Sequence, residues 1–275
     1  MWTKELFGTS KPIIAMLHLD PLPGDPLWNK DCSMEQVIED ARKDLISLQE
    51  GGVDGVLISN EFSLPYADTV NSLTTNAMAR VIGSIENILS IPFGIDVISD
   101  PFAALNLAAA VDADFIREGF SGATVGGNGV RSKNLAEAMR YRHAIGLDHV
   151  KMMFFLNPES EWDLNCRSYE IQAKALVFSA HPDGLCVFGG GAGMDVDSNL
   201  VERVHDAVAG QTMVFCSNGC KPSSIREKLS VSDGAIVGTY FKQDGKFCDE
   251  NHGNLRIQKE RVETLMKEVK DFRKD

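Results

Sequence analysis

His18, Glu61, Asp96, Arg117 and Glu118 are the side chains of this chain whose types and positions suit acid–base chemistry, each closing or following a short apolar run. An imidazole changes charge near neutral pH, so His18 suits a general acid or base; the plain alternative is a histidine that caps the core. The three carboxylates Glu61, Asp96 and Glu118 can divide acid and base roles through displaced pKa values. They can equally hold an oxygen-preferring ion such as Mg²⁺ or Mn²⁺, with Asp20 as a further ligand. Structural pairing with Arg117, Lys151 or Lys242 is the competing reading. Arg117 itself suits stabilisation of negative charge on a reacting oxygen.

A second set of residues points to an anion. Thr212-Met-Val-Phe-Cys-Ser-Asn-Gly219 and Asp233-Gly-Ala-Ile-Val-Gly-Thr239 are apolar runs that break at small polar residues and glycine. Such exits leave backbone N–H groups free for an oxyanion. They predict a phosphate corner built from Ser217, Asn218, Gly219, Gly238 and Thr239. Gly191 and Gly193, from Gly189-Gly-Gly-Ala-Gly193, extend the same cradle, and Lys242 is placed to steady a phosphate or substrate oxygen. The expected occupant is a small phosphorylated ligand. Lys151 is a Schiff-base candidate if it points into a core, and an ordinary solvated lysine otherwise. Ser121-Gly-Ala-Thr-Val-Gly-Gly-Asn-Gly129 reads as a loop long enough to close over a ligand, or as a surface connection.

These residues need a scaffold that brings them to one end. The apolar runs Ile13–Leu17, Gly55–Ile58, Phe93–Val97, Phe115–Arg117, Val150–Phe155, Gly184–Phe188, Met213–Cys216 and Gly234–Val237 read as strands. They are nearly continuous in apolar residues, which suits parallel strands covered on both faces. Each is followed by a helical pattern. Ser33-x-x-Gln36 resembles a capping box, and Val37, Ile38, Ala41, Leu45 and Leu48 form one stripe before Gly51-Gly52. Further helices are expected over Ala77–Leu89, Pro101–Val111, Asn134–Ile145, Tyr169–Ala180, Asn199–Ala209 and Ser223–Leu229. Met1–Ser10 leads into the first strand, and a last helix covers about 257–272. Eight such units without a break in composition predict a single-domain (β/α)₈ TIM barrel over 1–275. An open doubly wound sheet would place a glycine-rich fingerprint after the first strand, where this chain has His18-Leu-Asp-Pro-Leu-Pro-Gly24. In a barrel the strand ends would present His18 and Asp20, Asn60 and Glu61, Asp96 and Asp100, Arg117 and Glu118, and Asn157 and Glu159, before the glycine-rich exits.

Composition narrows the partners. The chain has 275 residues, 44% hydrophobic and 24% charged, with a formal net charge of −12. That acidity argues against a nucleic-acid surface, and no apolar run reaches the ~18 residues of a membrane helix. The six cysteines have no paired spacing and read as reduced thiols, and Cys216-x-x-x-Cys220 lacks the second pair a zinc clip needs. A cytoplasmic protein is expected. The pattern demands no cofactor, although a divalent metal is compatible with it. The helical faces suit either a monomer or a homo-oligomer.

Lys11-Pro-Ile-Ile-Ala-Met-Leu-His-Leu-Asp-Pro-Leu-Pro-Gly-Asp-Pro26 resembles the N-terminal signature of the BtpA/SgcQ family. Gly51-Gly-Val-Asp-Gly-Val-Leu-Ile-Ser-Asn-Glu-Phe62, Ala113-Asp-Phe-Ile-Arg-Glu118 and Asp233–Thr239 follow in the family's order. Asn60-Glu-Phe-Ser-Leu-Pro-Tyr66 and Tyr141-Arg-His-Ala-Ile-Gly146 are similar to the SgcQ-like branch. The resemblance implies a phosphate-binding TIM barrel, with sugar metabolism as the setting of that branch and biogenesis of photosystem I as that of the other. Two turns depart from the pattern, Cys216-Ser-Asn-Gly-Cys220 after strand seven and the glycine run after strand six. The expected function is an enzyme of lyase or isomerase type acting on a phosphorylated sugar or related metabolite. A non-catalytic assembly platform and a metal-dependent hydrolase are the alternatives.

Overall fold

A computed structural model describes residues 1–191 and 193–274. Its eight core strands are β1 (Ile13–His18), β2 (Gly55–Ser59), β3 (Phe93–Asp96), β4 (Phe115–Glu118), β5 (Lys151–Phe155), β6 (Gly184–Val187), β7 (Met213–Cys216) and β8 (Gly234–Val237). Every neighbouring pair is parallel, and β8 pairs back onto β1 with Ile14 opposite Ile236. The sheet is therefore closed, and with helices between consecutive strands it is a (β/α)₈ barrel.

The helices are α1 (Trp2–Phe7), α2 (Met34–Gly51), α3 (Ser72–Ile85), α4 (Pro101–Val111), α5 (Leu135–Ala144), α6 (Tyr169–Ala180), α7 (Ser198–Val208), α8 (Ile225–Ser230) and α9 (Lys259–Phe272). Ser33 caps α2 by accepting the Gln36 N–H at 3.1 Å. The reciprocal half of the capping box does not form, because the Gln36 amide donates to Asp40 instead, at 2.8 Å. Helix α3 starts five residues before the expected Ala77, since Asn71 accepts from the Leu73 and Thr74 amides and draws the chain into helix early.

Alternation along the strands separates two cores. Ile13, Ala15, Leu17, Val56, Ile58 and Ile116 face the helices. Ile14, Met16, Leu57, Phe115, Met153, Cys186, Phe215 and Ile236 fill the barrel interior. Phe115 and Phe215 fit because the facing strand positions are glycine: a Cβ on Gly94 would lie 2.2 Å from the Phe115 ring, and one on Gly234 2.7 Å from the Phe215 ring. Helix α1, within the segment that leads into the first strand, closes the base. Its Phe7 ring packs 5.7 Å from Phe115, and its Trp2 ring 6.1 Å from Phe215.

The same end is stitched by four aspartates that stand immediately before the even-numbered strands. Asp54, Asp114, Asp183 and Asp233 accept the amides of Ile13, Phe93, Met152 and Val214 at 2.7–3.0 Å. Each satisfies a strand-start N–H that would otherwise be stranded where strand stagger leaves no backbone partner. Lys151 belongs to this end too. Its ammonium pairs with Asp183 at 3.1 Å and does not enter the barrel, so of the two readings of Lys151 the ordinary one applies and the Schiff-base one does not.

Candidate active site

The opposite end carries the candidate site, because the inward alternation that places Met16 and Phe115 in the core brings His18, Asp96, Arg117 and Ser217 to the rim above them. The residue two positions beyond β2, Glu61, and the one two beyond β7, Asn218, complete the ring. One cavity of about 150 Å³ opens there. His18, Glu61, Arg117 and Glu159 line one side, and Gly193, Ser217, Asn218, Gly219, Gly238 and Thr239 line the other.

Arg117 is held from behind. Its Nε and Nη2 both donate to Asp96 Oδ2, at 2.9 and 2.5 Å, and its guanidinium packs 5.4 and 5.7 Å from the ring centres of Phe155 and Phe188. Burial works against the guanidinium charge, but Asp96 outweighs it and raises the Arg117 pKa. Asp96 is fully buried beneath Arg117 and does not reach the cavity. Glu118 is also buried, on the outward side of β4, where its Oε1 accepts the Gly119 amide at 2.7 Å. Of the three carboxylates expected to converge, only Glu61 faces the cavity; Asp96 and Glu118 lie behind it.

Glu61 is held by donors. Tyr66 Oη donates to its Oε1 at 3.0 Å and Ser59 Oγ to its Oε2 at 3.3 Å. Burial and the neighbouring Glu159 push its pKa up to about 7. Its Oε2 lies 3.7 Å from His18 Nε2. Burial, reinforced by Lys242 and Arg117, pulls the His18 pKa well below the usual imidazole value, so the ring is neutral. Its Nδ1 is buried with no hydrogen-bond partner among the described residues. Glu159 is raised by burial and moderated by Arg117 and Asn218.

On the anion side, the Asn218 side chain ties three loops together. Its Oδ1 accepts the Gly189 amide at 3.3 Å, while its Nδ2 donates to Glu159 Oε1 at 2.8 Å and to the Gly191 carbonyl at 3.3 Å. That use leaves backbone, not the Asn218 carboxamide, to meet a ligand. Gly219 has φ +68°, and a Cβ there would stand 2.3 Å from Asp195 Cα. Gly238 is needed for space, since a Cβ would sit 3.1 Å from the His18 ring. Ser217 Oγ is buried and unpartnered among the described residues. Gly191 stands behind the lining, and Ala192 of the glycine run lies outside the described residues.

Lys242 does not face this cavity. Its Nζ donates to the Phe247 carbonyl at 3.0 Å and Asn254 Oδ1 at 2.8 Å, and it sits 4.5 and 4.8 Å from the Phe62 and Phe247 ring centres. Burial lowers its pKa to about 8. Asn60 and Asp100 are also committed to the scaffold. Asn60 accepts the Ile98 amide, and Asp100 caps α4 through Ala103 and accepts the Val70 amide. Asn157 brackets Phe188 through its amide and carbonyl, both at 2.9 Å. Asp20 is bound by Arg256 at 2.5 Å, and Arg256 also reaches Asp44. No group of three or more His, Cys, Asp or Glu among the described residues has a metal-binding arrangement, so the set Asp20, Glu61, Asp96 and Glu118 does not assemble. All six cysteines are free thiols.

The expected loop at Ser121–Gly129 is a hairpin. Ala123–Gly126 pairs with Gly129–Ser132, and Trp162–Asp163 adds a third strand. Arg131 anchors it to the rim through Asp68, Glu161, Ser99 Oγ and the Tyr66 carbonyl. Tyr66, Lys221 and Phe247 border the site although none of them stands at a strand end. Tyr66 had a signal, a phenol five residues after a strand-end carboxylate; Lys221 and Phe247 arrive by loop geometry alone.

The BtpA family model matches residues 9–271. The chain belongs to the BtpA family. It is 43% identical to the sgc region protein SgcQ of Escherichia coli (strain K12) over 273 residues, 99% of each chain. It is 28% identical to the photosystem I biogenesis protein BtpA of Synechocystis over 244 residues, 88% of this chain and 84% of that one. Among solved structures it is similar to phosphoribosyl anthranilate isomerase from Thermotoga maritima, with TM-score 0.54 and 12% identity, covering 95% of this chain and 99% of that one. At that identity the likeness concerns the barrel alone. No helix among the described residues is long and apolar enough to cross a membrane.

Proposed function

We propose that this BtpA-family barrel is an enzyme of isomerase or lyase type whose substrate is a small phosphorylated sugar or a close relative. The observation that carries this reading is a cavity in which Ser217–Gly219, Gly238 and Thr239 face His18, Glu61 and Arg117. The amides of Gly219 and Cys220 meet no acceptor among the described residues, and Lys221 lines the same wall, paired with Asp195 at 3.1 Å. That wall would hold the phosphate by backbone N–H groups.

The reacting carbons then lie against Glu61. A carboxylate titrating near 7 is matched to removing a proton from carbon beside a carbonyl and returning it to the neighbouring carbon. Arg117, fixed by Asp96, would stabilise the enediolate oxygen, and neutral His18 would exchange a proton with the adjacent oxygen. The wall of Phe62 and Phe247 behind His18 keeps water from that side. The test is a panel of aldose and ketose phosphates with the wild type and Glu61→Gln. It is read by ligand-induced rise in melting temperature and by loss of substrate signals in NMR. A rise with the wild type, with turnover lost in the variant, supports the reading; no rise and no turnover across the panel sinks it.

A binding-platform reading is favoured by one observation. Val130, Val125 and Trp162 are cross-strand neighbours on the rim hairpin, and Val130 and Trp162 are 67% and 76% exposed. It predicts that polar substitutions at Val130 and Trp162 abolish the cellular role while Glu61→Gln leaves it intact.

A further inference from the structure

Two buried carboxyl oxygens behind the candidate site have no hydrogen-bond donor among the described residues: Asp96 Oδ1 and Glu118 Oε2. Both residues are nearly inaccessible, at 0% and 1% exposure. Their other oxygens are accounted for. Asp96 Oδ2 takes two N–H groups of Arg117, and Glu118 Oε1 takes the Gly119 amide. Asp96 and Glu118 end the paired neighbouring strands β3 and β4, and each carboxyl acts on the other. Two orphaned acceptors on buried, neighbouring carboxyls are costly, and one proton shared between them would remove both deficits.

We propose that Glu118 is a neutral carboxylic acid in the folded protein, its Oε2–H donating to Asp96 Oδ1, and that this bond fixes Asp96 as the anionic clamp of Arg117. Glu118 is then a positioning residue two steps behind the cavity, acting through Asp96 on Arg117, and is not itself an acid or base for a substrate. Charge balance agrees: one guanidinium compensates one buried carboxylate, and a second ionised carboxyl beside it would be left uncompensated. The charged groups that face Glu118 are Asp96 from β3, Arg117 from its own strand and Lys133 beyond the hairpin. Burial first and the Asp96 charge second push the Glu118 carboxyl well above its ordinary value. Lys133 opposes this shift, but its ammonium donates to the Ser99 carbonyl and not to Glu118. The inference holds whether or not the cavity takes a phosphorylated sugar.

The test compares wild type, Glu118→Gln and Glu118→Leu by chemical denaturation across pH. A carboxyl raised in the folded state gives stability that is complete below its unfolded pKa and is lost as pH rises toward its folded pKa. Gln donates the same hydrogen bond without a titrating proton. The ratio of folding constants, Glu118→Gln over wild type, is therefore expected to rise about tenfold per pH unit above the unfolded value of 4.5. Glu118→Leu, which offers Asp96 no donor, is expected to lose the stability that Gln retains. A ratio that stays flat with pH, or equal stability of the Gln and Leu variants, overturns the proposal. Infrared spectroscopy of the wild type gives a reading independent of any variant's folding. At about pH 8.5, where Glu61 is ionised, a protonated-carboxyl carbonyl band persists if Glu118 is neutral. Its absence overturns the proposal.

Discussion

His18 Nε2 stands 3.7 Å from Glu61 Oε2, and burial drives the two groups in opposite directions. A dry site disfavours charge on either group, so the imidazole loses its proton more readily and the carboxyl holds its proton longer. His18 is thereby held neutral, and Glu61 titrates close to physiological pH. A salt bridge at this position would have done the reverse, locking a charged pair.

Glu61 sets one arm of the pH dependence. Its folded pKa of about 7 exceeds its ordinary 4.5, so its contribution to stability is complete below 4.5 and is lost as pH rises to about 7. Glu61→Gln removes this penalty, so the variant gains on wild type through that window, by on the order of 3 kcal/mol at its top, and the gap is constant above it. Urea denaturation at several pH values measures the gap; a gap independent of pH contradicts the assignment.

His18 sets the opposite arm. Its folded pKa lies below its ordinary 6.5, so the unfolded chain takes up a proton first and stability falls as pH drops below that value. His18→Gln flattens this acid-side loss. The same titration series checks it, and an unchanged acid limb in the variant counts against a neutral buried ring.

Arg117 and Asp96 form the most strongly buried ion pair of the rim. Arg117→Met leaves the Asp96 carboxylate uncompensated and is expected to cost about 3–5 kcal/mol. The double variant Arg117→Met with Asp96→Leu recovers most of that loss, because neither charge remains. Equal destabilisation of the single and double variants would show that packing, not charge, dominates.

Gly219→Ala tests the anion wall. The added Cβ meets Asp195 Cα at 2.3 Å at a left-handed φ, so the turn must move. The expectation is a loss above about 1 kcal/mol in stability together with loss of any melting-temperature rise on adding inorganic phosphate. A variant that keeps the rise would place the anion elsewhere.

Metal removal gives a further discriminating measurement. Asp20 is already paired with Arg256, and Asp96 with Arg117. Treatment with a chelator is therefore expected to leave the melting temperature unchanged. A fall of several degrees, reversed by Mg²⁺ or Mn²⁺, would restore the metal reading of Glu61.

The barrel was legible in the chain because parallel strands covered on both faces must be apolar almost throughout. Each strand end is also marked by a polar residue or glycine, and these marks put His18, Glu61, Arg117, Ser217 and Thr239 at one rim. Which carboxylate faces the cavity was decided only in three dimensions. Asp96 and Arg117 both point inward, yet one hides beneath the other, and Glu118 is turned away by the single-residue alternation of β4. Lys242 was misdirected for a related reason: a lysine's long stem allows it to settle between Phe62 and Phe247, whose positions depend on loops far apart in sequence. Local pattern determines the period of an element and where it ends. The direction of a charge, and whether water reaches it, is a property of the neighbours that closure of the barrel supplies.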